Sequence, residues 1–350
     1  MDLETIRERL LREEVEAFLV SKLENVRYLS GFTGSSACVL VTPGDLYFVT
    51  DPRYEEQAAS QVPPAFQKVI LKPGERLSAL VKGKGWSTLA VEDSMSLGQY
   101  QALKKGLDGG EIRVWRGVIE EQRRVKTPEE VEEIGRAVAL AQEAFHKVRG
   151  MLKPGVSERD LALELEFVMR RQGAQGVAFP FIVASGPRSA MPHGDASHKV
   201  LEDGDLVILD FGARWRGYHS DMTRTFKLGP WRAWEKEVYT VVLEAQEAAM
   251  AAIRPGVEAK EVDGVARRII EEAGYGDYFG HGLGHGVGLE IHEAPTLAPT
   301  SEDVLEVGMV FTVEPGIYLP GKGGVRIEDM VFLGPRGPEV LTSLPKGVAE

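Results

Sequence analysis

Along the first third of the chain the apolar positions change period repeatedly. From Glu4 to Glu16, Ile6, Leu10 and Leu11 stand among charges at helical spacing, and Ala17-Phe18-Leu19-Val20 follows as a short strand. Ala37 to Val41, Asp45 to Thr50, Gln67 to Leu71, Thr88 to Val91 and Ile112 to Val114 read as further strands, with a polar helix near Tyr54 to Ser60. Such an exchange of strand and helix predicts an α/β layer on a mixed sheet. Gly83-Lys84-Gly85 and Gly106-Leu107-Asp108-Gly109-Gly110 lack the spacing of a phosphate-cradling loop and read as turns.

A boundary falls near Lys126-Thr127-Pro128-Glu129-Glu130, where Thr127 can cap a helix with Pro128 in its first turn and acids behind it. Residues 1–125 and 126–350 are the two domains expected. The second carries an internal repeat. Lys153-Pro154-Gly155-Val156-Ser157, followed by an amphipathic helix ending at Gly173, matches Arg254-Pro255-Gly256-Val257-Glu258, followed by a helix ending at Gly274. The repeat predicts two halves about a pseudo-twofold axis, each a helix pair laid on strands, with a cleft between them. Chance similarity of two helix-turn-helix segments is the alternative.

Composition narrows the classes. In 350 residues, 43% of them apolar, no run approaches the roughly 20 that a membrane helix needs. Met1-Asp2-Leu3-Glu4 opens with acid where a secretory signal carries base, so a cytoplasmic protein is expected. A net charge of -12 with no basic patch argues against nucleic acid and anionic membranes as partners. Cys38 is the single cysteine and sits in an apolar run, so intrachain disulfides and Cys-rich zinc sites are excluded and a core role is expected. Asn25 as the one asparagine, with abundant Glu and Arg, is a thermophile-like composition.

The chemistry is concentrated in the second domain. Leu206-Val207-Ile208-Leu209-Asp210-Phe211 is an apolar strand interrupted by an aspartate, and Asp221 to Phe226 forms a second strand. A hairpin turning between Trp215 and Arg216 sets Asp210 opposite Asp221. Facing carboxylates repel, and a buried ionised carboxylate is costly unless neutralised, so a metal ion is one reading. Pairing of one aspartate with Arg214, Arg216 or Arg224 is the other. Phe279 to Glu293 holds His281, His285 and His292 interleaved with glycines that permit close backbone approach. His146, His198 and His219 lack such a setting, although His219 lies near Asp221. Met309 to Glu314 is a β run stopped by Pro315, and Val325 to Val331 is another whose alternation puts Arg326, Glu328 and Met330 on one face. Glu328 could pair with Arg326; what favours a metal is the sum. Asp210, Asp221, His285, Glu314 and Glu328 offer four carboxylates and one imidazole, a set suited to two divalent ions such as Mn, Co or Zn.

The paired aspartates, the His-Gly stretch, the strand ending in Glu314-Pro315-Gly316 and Arg326-Ile327-Glu328-Asp329 resemble the pita-bread metallopeptidases, which include methionine aminopeptidase, aminopeptidase P and prolidase. The resemblance runs from about Thr127 to Leu333, and the preceding residues resemble the N-terminal domain of the proline-specific branch. It implies metal ligands at Asp210, Asp221, His285, Glu314 and Glu328, substrate and oxyanion contacts from His193 and His292, and supporting roles for His281 and Arg326. Glu314 would also carry the water proton to the leaving prolyl nitrogen. Phe179 would wall the pocket for the prolyl ring or, equally, sit in the core.

The function implied is hydrolysis of the bond before proline, as an Xaa-Pro dipeptidase (prolidase) or as an aminopeptidase P acting on longer peptides. Some prolidases carry an arginine shortly after the His-Glu pair, where this chain has Thr296. A non-catalytic module on the same scaffold, or a metal-free creatinase-like enzyme, would lack these ligands. A homodimer is also implied.

Overall fold

The computed structural model describes residues 2–107 and 109–346. Contacts divide the chain into two units, Met1–Arg123 and Arg124–Glu350. Val125 bridges Met309, and the Lys126 N–H donates to the Gly308 carbonyl, which ties this junction to the second unit.

The first unit runs α1 (Leu3–Arg12), β1 (Ala17–Val20), α2 (Leu23–Ser30), β2 (Ala37–Val41), β3 (Leu46–Thr50), α3 (Glu55–Gln61), β4 (Phe66–Ile70), α4 (Leu77–Gly83), β5 (Thr88–Glu92), α5 (Leu97–Gly106), β6 (Glu111–Trp115) and α6 (Glu120–Arg123). Its six strands form one sheet in the order β4-β3-β2-β1-β5-β6, mixed because β2 runs antiparallel to both neighbours. Each face buries its own apolar set, one around Phe18, Phe48 and Trp115 and the other around Leu19, Val49 and Val91. The first helix stops at Arg12 rather than Glu16, and Glu14 takes a positive φ of 53°. Helices α2 and α4 are too short for apolar periodicity to mark them, and α5 buries a single residue, Leu103. Cys38 is half-buried, and burial pushes its thiol up to about 12, so it is no nucleophile.

The second unit opens with α7 (Pro128–Val148), whose start has the expected chemistry. Thr127 and Glu130 form a capping box, and Pro128 needs no intrahelical donor. There follow α8 (Glu158–Arg171), β7 (Gly176–Val177), β8 (Ile182–Ser185), β9 (Leu206–Phe211), β10 (Ala213–Trp215), β11 (Tyr218–His219), β12 (Met222–Lys227), α9 (Ala233–Ala252) and α10 (Ala259–Glu272). The chain ends with β13 (Gly284–Gly286), β14 (Glu293–Leu297), β15 (Val310–Val313), β16 (Gly316–Leu319), β17 (Gly323–Arg326), β18 (Asp329–Gly334) and β19 (Gly337–Val340). The strands form sheets β12-β9-β8, β14-β13-β15-β18-β19, β16-β17 and β11-β10-β7.

Alternating residues of β9, β15 and β18 enter two cores. Val207, Val310 and Met330 pack with α7 and α8, while Leu206, Phe311 and Val331 pack with α9 and α10. The repeat seen in the sequence recurs in the hydrogen bonds: the Gly155 N–H donates to Leu201 O, and the Gly256 N–H to Leu305 O. The fold is the expected α/β arrangement of an N-terminal mixed-sheet domain and a pita-bread domain with a pseudo-twofold repeat. Among the described residues no helix is long and apolar enough to cross a membrane.

Candidate metal centre

Five short backbone segments bring the acidic residues together. Asp210 lies near the end of β9, a strand buried throughout. Asp221 immediately precedes β12, but the hairpin register differs from the expected one. Asp210 pairs with Thr223, and Trp215 with Tyr218, so Asp221 is a diagonal neighbour rather than the opposite partner. The cause is the turn: Arg216 and Gly217 both take positive φ, 43° and 79°, as a tight two-residue turn between twisted strands requires. Glycine at the second position fixes the turn there.

His285 is carried on β13 between Gly284 and Gly286. A Cβ on Gly284 would lie 2.0 Å from the Thr312 carbonyl oxygen, and one on Gly286 would lie 2.2 Å from that of Ala294. The glycines therefore let three strands close around the imidazole. Glu314 follows β15, whose last residue is Val313, and a new strand begins at Gly316 beyond Pro315. The expected single strand from Val325 to Val331 is instead two, in different sheets. Glu328 sits in the break between β17 and β18, where its N–H donates to Thr223 O and its carbonyl accepts from Arg224.

Ligand-capable atoms of Asp221, His285 and Glu328 lie within 4.8 Å of one another. His285 Nε2 is 3.3 Å from Glu314 Oε1 and 3.6 Å from Asp221 Oδ2. Asp210 Oδ2 accepts from Arg326 at 2.6 Å. Arg216 meets Glu133, Arg224 meets Asp329, and Glu328 accepts from Thr223 rather than Arg326, so the arginine pairings weighed against a metal do not form. Asp210 Oδ1, Asp221 Oδ1 and Glu328 Oε1 are buried with no hydrogen-bond partner. Burial, and then the neighbouring carboxylates, hold the Asp221 and Glu328 carboxyls well above the usual range. Burial raises Glu314 as well and lowers His281, His285 and His292. Three orphaned carboxylate oxygens beside the His285 imidazole fit divalent cations, which would add to the single positive charge that Arg326 brings to Asp210.

The cluster floors a cleft of about 470 Å³ walled by Phe179, His193, His281, His292 and Thr296. The His285 and His292 rings lie edge-to-face with centroids 4.2 Å apart. His193 and His292 are exposed, and Phe179 is half-buried with its ring nearly perpendicular to that of Phe181. His219 is buried and holds the Gly288 carbonyl, under the glycine-rich segment. A larger cavity of about 750 Å³ lies in the first unit, but no histidine lines it and its Asp51–Arg53 pair is self-satisfied. The candidate ligands and the histidines line the smaller cleft.

Three polar residues of the site escaped the sequence reading. The Tyr318 hydroxyl accepts from Arg326 at 2.9 Å and meets His281 Nε2 at 3.0 Å, which links the imidazole through Arg326 to Asp210. Thr223 donates to Glu328 at 2.7 Å and accepts from Arg326 Nε. Thr312 donates to Glu314 and accepts from the His285 N–H. Alternation from Asp221 to Thr223 and from Thr312 to Glu314 was the available signal, whereas Tyr318 lies beyond the break at Pro315.

The family model of metallopeptidase family M24 matches residues 132–335, and that of the creatinase/prolidase N-terminal domain matches residues 3–125. An Xaa-Pro dipeptidase of Pyrococcus horikoshii is 40% identical over 95% of this chain and 93% of its own. The solved structure of an Xaa-Pro dipeptidase from Bacillus anthracis is 43% identical, with a TM-score of 0.94 over 99% of this chain and 98% of that one. That of an X-Pro aminopeptidase from Thermotoga maritima is 40% identical, with a TM-score of 0.88 over 97% and 98%. The chain belongs to metallopeptidase family M24, hydrolases that work with divalent metal ions, and it carries the creatinase/prolidase N-terminal domain ahead of the peptidase unit.

Proposed function

We propose that this chain is an Xaa-Pro dipeptidase that holds two divalent ions of the Mn, Co or Zn type on Asp210, Asp221, His285, Glu314 and Glu328. The observation that carries the metal reading is the set of three buried carboxylate oxygens without a partner. Whole-length similarity to Xaa-Pro dipeptidases supports the substrate class. When bound, such ions activate a water for attack and polarise the scissile carbonyl.

The remaining work falls to the side chains. Thr312 donates to the Glu314 carboxylate and fixes its orientation. A prolyl amide nitrogen has no hydrogen and must be protonated before it leaves, so Glu314 takes the proton of the attacking water and delivers it there. His193 and His292, on the open side of the cleft, donate to the developing oxyanion. Phe179 packs the prolyl ring. Arg326 binds no substrate, because Asp210, Thr223, Tyr318 and Pro192 O already take its donors; it holds Asp210 and Tyr318 in place.

One observation favours aminopeptidase P as the second reading. Among the cleft-lining residues Arg326 is the one Lys or Arg, and Thr296 offers no cation for the free carboxylate of a dipeptide. Hydrolysis of Met-Pro beside a tripeptide containing Met-Pro, with apo protein reloaded with Mn²⁺ or Co²⁺, separates the two. Cleavage of the dipeptide is expected, with its carboxylate held by a group other than Thr296. Cleavage of the tripeptide alone would overturn the dipeptidase reading.

A further inference from the structure

The two halves of the peptidase unit start their second helices in the same way. Glu158, the first residue of α8, donates its N–H to Lys199 O at 2.9 Å, and Ala259, the first residue of α10, donates to Asp303 O at 2.9 Å. Ser157 bridges Val200, and Glu258 bridges Val304. The side chains at this first helical position differ. Ala259 is fully buried and its methyl can make no polar contact, so neither the helix start nor the bridge needs a carboxylate.

Glu158 is nevertheless a completely buried acid. Its Oε1 accepts from the Ser185 N–H and hydroxyl, both at 2.7 Å. Its Oε2 accepts from the Ser197 N–H at 3.1 Å, from the Ser197 hydroxyl at 2.6 Å, and from the Arg188 guanidinium. Ser185 and Ser197 are the two ends of the segment that carries His193. Arg188, held in this way, donates its other nitrogen to Asp195 O at 2.8 Å, which tightens the same segment from inside. The free side of the segment is tied to the centre, since Pro192 O accepts from Arg326 at 3.0 Å. A buried carboxylate is retained where charge-assisted bonds satisfy both oxygens, and this one spends them all on a single loop.

We propose that Glu158 is a positioning residue for the reaction. It gathers both ends of the 185–197 loop on one carboxylate and so sets His193 over the cleft, a device present in the half that carries His193 and replaced by Ala259 in the other. The proposal rests on the reading of His193 as an oxyanion donor.

The test is a double-mutant cycle on the Mn²⁺-reloaded full chain, with Met-Pro as substrate. His193→Ala is expected to lower kcat/KM about 100-fold, the general scale for one oxyanion donor. Glu158→Gln is expected to lower it about 10-fold or more, with Mn²⁺ affinity by calorimetry unchanged and faster hydrogen exchange confined to residues 185–197. The double variant should match His193→Ala to within about threefold, because the two act through one group. If Glu158→Gln does not fold, Ser197→Ala, which removes one donor at the far end of the loop, takes its place with the same expectation. Losses that multiply in the double variant, or full kcat/KM in Glu158→Gln, would overturn the proposal while leaving His193 its role. Full turnover by His193→Ala would overturn that role and the proposal with it.

Discussion

Glu314 has two duties in this account, metal ligand and proton carrier, and Gln at this position keeps the size while removing the basic oxygen. Glu314→Gln is expected to abolish Met-Pro turnover; a variant at the wild-type rate would remove Glu314 from the mechanism. Tyr318→Phe tests the supporting contacts more gently. Losing the hydroxyl that joins Arg326 to His281 should cost about 1 kcal/mol of stability. It should also lower kcat with little change in KM, which steady-state kinetics on Met-Pro would show. The candidate ligands stand out in the sequence because acids interrupt otherwise apolar strands and histidines stand among glycines. Tyr318, Thr223 and Thr312 were not, since a hydroxyl in a strand looks the same whether it faces a carboxylate or the core.

At the scale of elements, the sequence located most strands of the first unit to within a residue or two, because β-branched runs bounded by polar turns mark them. What it missed were breaks and registers. Counting residues put Asp210 and Asp221 face to face, but the positive φ of Arg216 and Gly217 moved the turn by one position and the pairing by two. The split between β17 and β18 was hidden because Ile327 and Glu328 continue the alternation. Two substitutions test how these elements hold the centre. Gly284→Ala places a methyl on the Thr312 carbonyl and should push β13 from β15, lowering Mn²⁺ affinity about 10-fold or more in calorimetry. Arg224→Met removes one of the two cations on the buried Asp329, the other being Lys346, and four hydrogen bonds to the Thr223, Glu328 and Leu344 carbonyls. A loss of about 3–5 kcal/mol in urea unfolding is expected, and a loss under about 1 kcal/mol would show that the network is not structural.

Over the whole molecule, the acidic cluster links stability, pH and metal. Asp221, Glu314 and Glu328 are raised in the fold. A raised acid supports the fold fully below its unfolded value, about pH 4, and that support is lost as pH climbs through the folded value. Asp329, whose value is lowered, is ionised in both states above about pH 5 and adds no slope there. The buried His281, His285 and His292, also lowered, act against the acids: their support for the fold is present above about pH 6.5 and is lost as pH falls. Metal binding needs both sets deprotonated, so Mn²⁺ is expected to raise the melting temperature more at pH 7.5 than at pH 5.5. A metal-induced rise that is smaller at pH 7.5 than at pH 5.5 would contradict the electrostatic account. Light scattering should return twice the chain mass of 38.4 kDa if the homodimer implied by the resemblance forms.

The central claim is a metal-dependent dipeptidase centre on five named ligands, and stepwise titration of metal-free protein with Mn²⁺ during Met-Pro hydrolysis tests it most directly. The account predicts no turnover without metal, and a rate that rises to a plateau as two equivalents bind. Turnover in the metal-free protein, or metal bound without any cleavage of Met-Pro, would contradict it.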